Sequence, residues 1–324
     1  MLWFERLYAR LHLPFYIGVP LFGTLIPTLL SVARVYVETG VIPTDLQSLR
    51  LYIGWTAIVI ASQVASRHIC RRMNKLDAYV QFMKPDGGPT EVGLLGSIWG
   101  ASWVYFLFFL WLWFGSGYTG ILVGTALVSV VPFLATFLWV FIAAFYLLIR
   151  TAKLPLRLKS FIEDPTMGVR PLVAESLRFV TLYEALLLGV FIYPVVIRYE
   201  CGCSSTPDIF YEALFTCAFL TGLIMFLLPL SSLHSRLRSL KRDETAWVNS
   251  QYSILFRKLK LNHESIFDEK TSMALIAVDK VRRDIRQIRE WPIDGGIVAK
   301  IVTALGIPII VQVIVVLITH LVSI

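Results

Sequence analysis

The sequence carries little charge, and the little it carries avoids the apolar runs. Asp, Glu, Lys and Arg make up 16% of 324 residues, whereas 56% are hydrophobic. A soluble domain holds about a quarter charged residues, interleaved along the chain. Apolar runs of roughly 18 residues or more match the thickness of a bilayer core. No soluble core is large enough to bury several of them, so a single soluble domain is excluded. Cysteine is scarce, with four residues. Cys201 and Cys203 are two positions apart, where a bridge is strained, so free thiols or an intermolecular bond are expected there. Catalytic patterns are missing: the chain has no Gly-x-Ser-x-Gly, His-Glu-x-x-His, Walker loop or Gly-x-Gly-x-x-Gly. His12, His68, His234, His263 and His320 show no ligand spacing. No catalytic residue, cofactor or metal is expected. A further shortage is local. No glycine falls between Gly222 and Gly295, and no proline between Pro229 and Pro292.

What is present is seven apolar stretches, at about 14–37, 51–66, 94–114, 120–149, 178–197, 209–230 and 297–322. The mean hydropathy is +0.69. With the N-terminus cytoplasmic, 27 of the 30 Lys and Arg fall on the cytoplasmic side; Arg50 and Arg198 fall outside and Arg34 inside a stretch. Cytoplasmic loops keep such an excess because these charges resist translocation. The expected fold class is an all-α polytopic membrane protein of about seven transmembrane helices. It is placed in the plasma membrane, with its N-terminus in and its C-terminus out. The net charge of +8 points to anionic lipid headgroups rather than to nucleic acid, because the positive residues gather at membrane ends.

Residues 2–13 are amphipathic. An interfacial helix is expected, with Trp3, Phe4 and Leu7 toward lipid and Arg6 and Arg10 toward water. The first span is too long for a signal-peptide core and is expected to be retained. Pro20 and Pro27 imply a kink in it, and Pro132 falls in the middle of the fourth stretch. Arg67, His68, Arg71, Arg72 and Lys75 form a basic stop after the second. The third is rich in tryptophan and is expected to face lipid. Gly96 with Gly100, and Gly120 with Gly124, have the spacing that lets helices approach closely.

Residues 232–296 form the most organised soluble segment, with 13 Lys and Arg against 9 Asp and Glu. Leu233, Leu240, Trp247, Ile254 and Leu261 recur every seven residues. After Asn262 and His263 the phase shifts, and Phe267, Ala274, Val281 and Ile288 recur every seven. Each half reads as a helix with a narrow apolar stripe, suited to an assembly seam. The segment leaves the membrane and must return to it. A cytoplasmic antiparallel helical hairpin between spans six and seven therefore follows. The chain divides into a transmembrane domain, 1–231; the hairpin, 232–296; and a final transmembrane helix, 297–324.

Polar side chains inside spans are costly and are candidates for function. Gln63, Glu184 and Gln312 are the candidates for a pore or ion path. Arg34 and Glu212 form a candidate outer ion pair. The leading expectation is an oligomeric ion channel or small-solute permease, homo-oligomeric, with the hairpin as its assembly or gating element. An alternative is a non-transporting signalling or scaffold protein whose 232–291 segment binds a cytoplasmic partner. A third is a lipid enzyme using Asp86 and Asp164.

Overall fold

The structure, a computed structural model, describes residues 2–25, 46–83, 92–115, 130–154, 168–200, 209–261 and 269–286, with isolated residues between 28 and 40 and between 291 and 310. The described residues are 93% helical, without a strand. Helices α1 (Trp3–Arg10) and α2 (Phe15–Pro20) lead into a π-helical turn, Leu21–Leu25. Helix α3 (Leu46–Met83) follows, then a 3-10 turn (Val92–Gly96) and α4 (Ile98–Gly115). The rest are α5 (Val131–Lys153), α6 (Arg170–Glu200), α7 (Ile209–Leu261) and α8 (Glu269–Arg286). Among the described residues, α5 and α7 are long and apolar enough to cross a membrane.

Helix α5 is the centre of the packing. Pro132 sits in its first turn, where the missing N–H costs nothing. The helix begins at Val131, so Pro132, which falls in the middle of the fourth apolar stretch, lies at the start of this helix. Arg150 and Lys153 occupy the last turn and meet the negative end of the helix dipole. Phe133, Phe137, Val140, Phe141, Ala144 and Leu148 are all buried. Its exposed residues form a narrow stripe, Ile142, Tyr146, Arg150 and Lys153, at spacings of three or four. A helix apolar on nearly every face belongs inside a bundle. Helices α3 and α7 each pack against both α5 and α6, and α4 lies on the outside of α5.

Aromatic rings tie α5 to α6. Tyr183 stacks on Phe141 at 4.4 Å between centroids, and Phe145 meets Phe179 edge-on at 6.4 Å. Residue numbers rise along one helix as they fall along the other, so the two run antiparallel. Helices α3 and α6 are antiparallel too. Tyr79 Oη donates to the Gly168 carbonyl at 2.9 Å, and Arg72 lies 3.6 Å from Glu175.

Several helices exceed the apolar stretches that mark them. At 1.5 Å per residue, the 53 residues of α7 extend about 80 Å, against a hydrocarbon core of about 30 Å. The sixth stretch and the first heptad segment are thus one continuous helix. Likewise α3 runs through the basic stop to Met83. The stop marks where charge begins, and the helix continues past it because Lys, Arg, Met and Ala are good helix formers.

Helix α1 differs from its expected place. Phe4 is 1% exposed and Tyr8 2%, so this face is buried in protein rather than in lipid. Trp3 stacks on Phe133 at 5.5 Å, and its indole N–H donates to Thr136 Oγ1 at 2.7 Å. Arg6 and Arg10 are exposed. The amphipathic pattern is the same in either setting; the ring and hydroxyl partners on α5 decide between them.

The heptad stripe does not stay on one face. Leu233 is buried and Leu240 half-buried, whereas Trp247 and Ile254 are 58% and 49% exposed. Positions seven apart drift by about 20° per heptad on a straight helix. Three heptads separate Leu233 from Ile254, so the stripe turns by about 60°. Val248 is buried instead and faces α8, where Thr245, Val248 and Asn249 meet Arg282, Ile285 and Arg286. Arg282 lies over the Tyr252 ring at 5.3 Å. The Leu261 side chain and residues 262–268 lie outside the described residues.

A candidate polar site within the bundle

Among the polar side chains buried in the apolar bundle are an amide on α3 and a carboxylate on α6. Gln63 is 0% exposed and Glu184 2%. They stand at the same height. Gln63 lies nine residues before Arg72, and Glu184 nine after Glu175. Arg72 and Glu175 meet across the antiparallel pair, so equal steps reach equal depth.

Their surroundings differ. Gln63 Oε1 accepts the Tyr8 hydroxyl at 2.7 Å. Its amide nitrogen has no hydrogen-bond partner among the described residues. A methyl group at Gly23, in the π-helical turn, would come within 2.5 Å of that nitrogen. The neighbouring Ser62 and Ser66 are satisfied by their own helix, through the Val59 and Ser62 carbonyls at 2.8 and 2.7 Å. Gly18 likewise gives way to the Tyr8 ring, whose carbons lie 2.6 Å from where a methyl would sit. Burial pushes the Tyr8 phenol up to about 12, against the lowering effect of Gln63. It therefore stays a donor at any ordinary pH.

This pair is a predicted lock on α1. Tyr8→Phe keeps the ring and removes the hydroxyl, leaving buried Gln63 Oε1 bare. A cost of about 1–3 kcal/mol is expected. Gln63→Leu combined with Tyr8→Phe removes both partners and is expected to recover most of it. Thermal unfolding of the wild type, Tyr8→Phe, Gln63→Leu and the double variant in one detergent measures the coupling.

Glu184 has no such lock. Neither of its carboxylate oxygens has a hydrogen-bond partner among the described residues. Oε1 presses on Gly222 of α7 so closely that a methyl group there would overlap it. The adjacent Tyr183 ring closes on the same glycine, and its hydroxyl donates to the Ala218 carbonyl at 2.9 Å. Gly222 is thus a notch in α7 that receives two side chains from α6.

Below this height lies a charged layer. Glu175 Oε1 accepts from Arg178 at 2.6 Å. Arg67 pairs with Glu5 at 3.1 Å and lies 3.8 Å over the Phe15 ring. Burial, followed by the charge of Arg72, lowers His68 below its usual range. Cys70 is pushed up to about 12, first by burial and then by Glu5, which makes it a poor nucleophile. Among the described residues, no group of His, Cys, Asp and Glu is arranged to hold a metal ion.

Of the candidates from sequence, Gln63 and Glu184 share a height but occupy different seams, the first toward α1 and the second toward α7. Arg34, Gln312 and the side chain of Glu212 lie outside the described residues. Gly100 receives the Trp139 ring from α5, so it admits a side chain rather than a backbone; Gly120 and Gly124 lie outside the described residues. Tyr8, Gly23, Tyr183 and Gly222 were not legible as site residues. The available signal was a glycine inside an apolar run facing a lone polar residue, and only the antiparallel register pairs the two. No protein-family model, curated protein or solved structure matches the chain.

Proposed function

We propose that the chain is an oligomeric ion channel or small-solute permease of the plasma membrane. It spans the bilayer about seven times, with its N-terminus cytoplasmic. Glu184 supports this reading most directly. An unpaired buried carboxylate costs several kcal/mol and is uncommon in a purely structural bundle. In a transport protein the same group is a point where the solute or its coupling ion is received. Gln63 and Gln312 are the other members of the proposed path.

Two further features fit. Large apolar side chains are exposed in rows on α7 (Leu220, Ile224, Leu227) and α4 (Trp99, Trp103, Phe106). Such rows suit lipid or a second copy. Helices α7 and α8 pack with contacts that descend one as they ascend the other, which suits a cytoplasmic antiparallel hairpin. Exposed Trp247 and Ile254 would be its contacts with neighbouring subunits.

Purified full-length protein in lipid vesicles tests the reading by ion and solute flux. Glu184→Ala combined with Gln312→Ala is expected to cut flux at least about tenfold, equivalent to about 1.4 kcal/mol on the barrier. No flux of any solute through the wild type overturns the function. Undiminished flux through the double variant removes these two residues from the path.

A further inference from the structure

We propose that Glu184 binds and releases a proton in the seam between α6 and α7, so that the proton is the ligand of this site. The inference rests on the transport reading for its consequence, and on geometry for its chemistry. The carboxylate is 2% exposed, with no hydrogen-bond donor to either oxygen among the described residues. An ionised carboxylate in that setting keeps the full cost of leaving water. Something must share its charge, and the seam narrows the choice.

Among the described residues, no counter-charge stands at this height on the elements packed against it. On α7, the ionisable residues nearest Gly222 along the helix are Cys217, Glu212 and Tyr211 on one side and His234 and Arg236 on the other. On α5 the ionisable groups begin at Tyr146 and Arg150, and on α3 they flank Gln63 as Arg67 and His68, a turn or more below it, and as Tyr52 and Arg50, about three turns or more above it. On α6 itself, Tyr183 has its hydroxyl engaged with the Ala218 carbonyl. Arg178, nearer the charged layer, is turned to Glu175.

A metal cation needs several oxygens around it. Beside Glu184 the seam offers the Ala218 carbonyl, which Tyr183 already occupies. Toward α7 there is no space for an ion either, because Oε1 rests on Gly222. A proton needs neither a ligand shell nor a cavity. The step is simple: an O–H bond forms on the carboxylate with a proton taken from water, and breaks to return it to water. Buried Ser176, whose hydroxyl also has no hydrogen-bond partner among the described residues, sits in the charged layer itself, beside Glu175 on α6.

Infrared spectroscopy of the full-length protein in lipid vesicles, with and without deuterium exchange, reads the site directly. At neutral pH the wild type is expected to show the C=O stretch of a buried carboxylic acid. That band is lost in Glu184→Gln, shifted in Glu184→Asp, and converted to a carboxylate band as pH rises. Wild-type and Glu184→Gln spectra that coincide in this region at neutral pH overturn the proposal. Solute flux in the same vesicles separates the two ideas. A band without any flux leaves the proton site standing and defeats the transport reading. Flux without the band does the reverse.

Discussion

Phe141→Ala is expected to destabilise the protein by about 3–5 kcal/mol, the range for removing a large aromatic from a packed core. Phe141 is 2% exposed and lies at the crossing of two ring stacks. It meets Tyr183 of α6 at 4.4 Å, Phe145 at 4.8 Å and Phe137 at 6.4 Å. Its removal strips α5 of its main contact with α6 and frees the Tyr183 ring. That ring also bears on Gly222, so the seam beside Glu184 is expected to loosen with it. The neighbouring Ile142→Ala is the control. Ile142 sits on the same helix at 41% exposure, and its loss is expected to change stability by less than about 1 kcal/mol. Thermal unfolding in one detergent compares the two. Similar melting temperatures would mean that the rings do not hold α5 to α6.

The contrast between Phe141 and Ile142 shows what sequence can and cannot reveal here. Both lie in one apolar run, and hydropathy ranks them together. A run that is apolar on nearly every face has no polar side to mark which way it is turned, so periodicity loses its force there. The helical class and the apolar α5 and α7 were legible because they depend on composition over many residues. The ends of helices were less so. Polarity changes at Arg67, but the helix runs to Met83, because nothing between them breaks it. In the same way the glycine- and proline-free stretch after Gly222 announced a long helix, though not its continuity with the sixth apolar run.

The candidate site was legible in half. Gln63 and Glu184 stood out as lone polar residues, and both are buried in the bundle. Their partners did not stand out, because partnership is a matter of register between distant segments. Nothing in a sequence of glycines and phenols says that Tyr8 meets Gln63, 55 positions away. The heptad stripe illustrates the opposite failure. Its period is real, but on a straight helix it winds around the axis and leaves Trp247 and Ile254 exposed.

Gly222→Leu is expected to be the most damaging single change outside the aromatic core. A side chain at 222 meets Glu184 Oε1 first, and then Tyr183 ring carbons at 2.8 and 2.9 Å. Flexible neighbours can swing away, but this ring is fixed on three sides. It stacks on Phe141, lies parallel to Phe137 at 6.5 Å, and hydrogen-bonds the Ala218 carbonyl. Relief must come from separating α6 and α7, which costs more than the usual 1–3 kcal/mol of an overpacked core. Gly189, two turns along α6, has nothing within 4 Å of an added methyl. Gly189→Ala is therefore expected to stabilise its helix by about 0.5–1 kcal/mol, through lower backbone entropy in the unfolded chain. The opposite signs test the notch. If both changes are neutral, α6 and α7 are not in contact at Gly222, and Glu184 has more room than a proton requires. If Gly222→Leu alone destabilises, the seam is as tight as its contacts indicate.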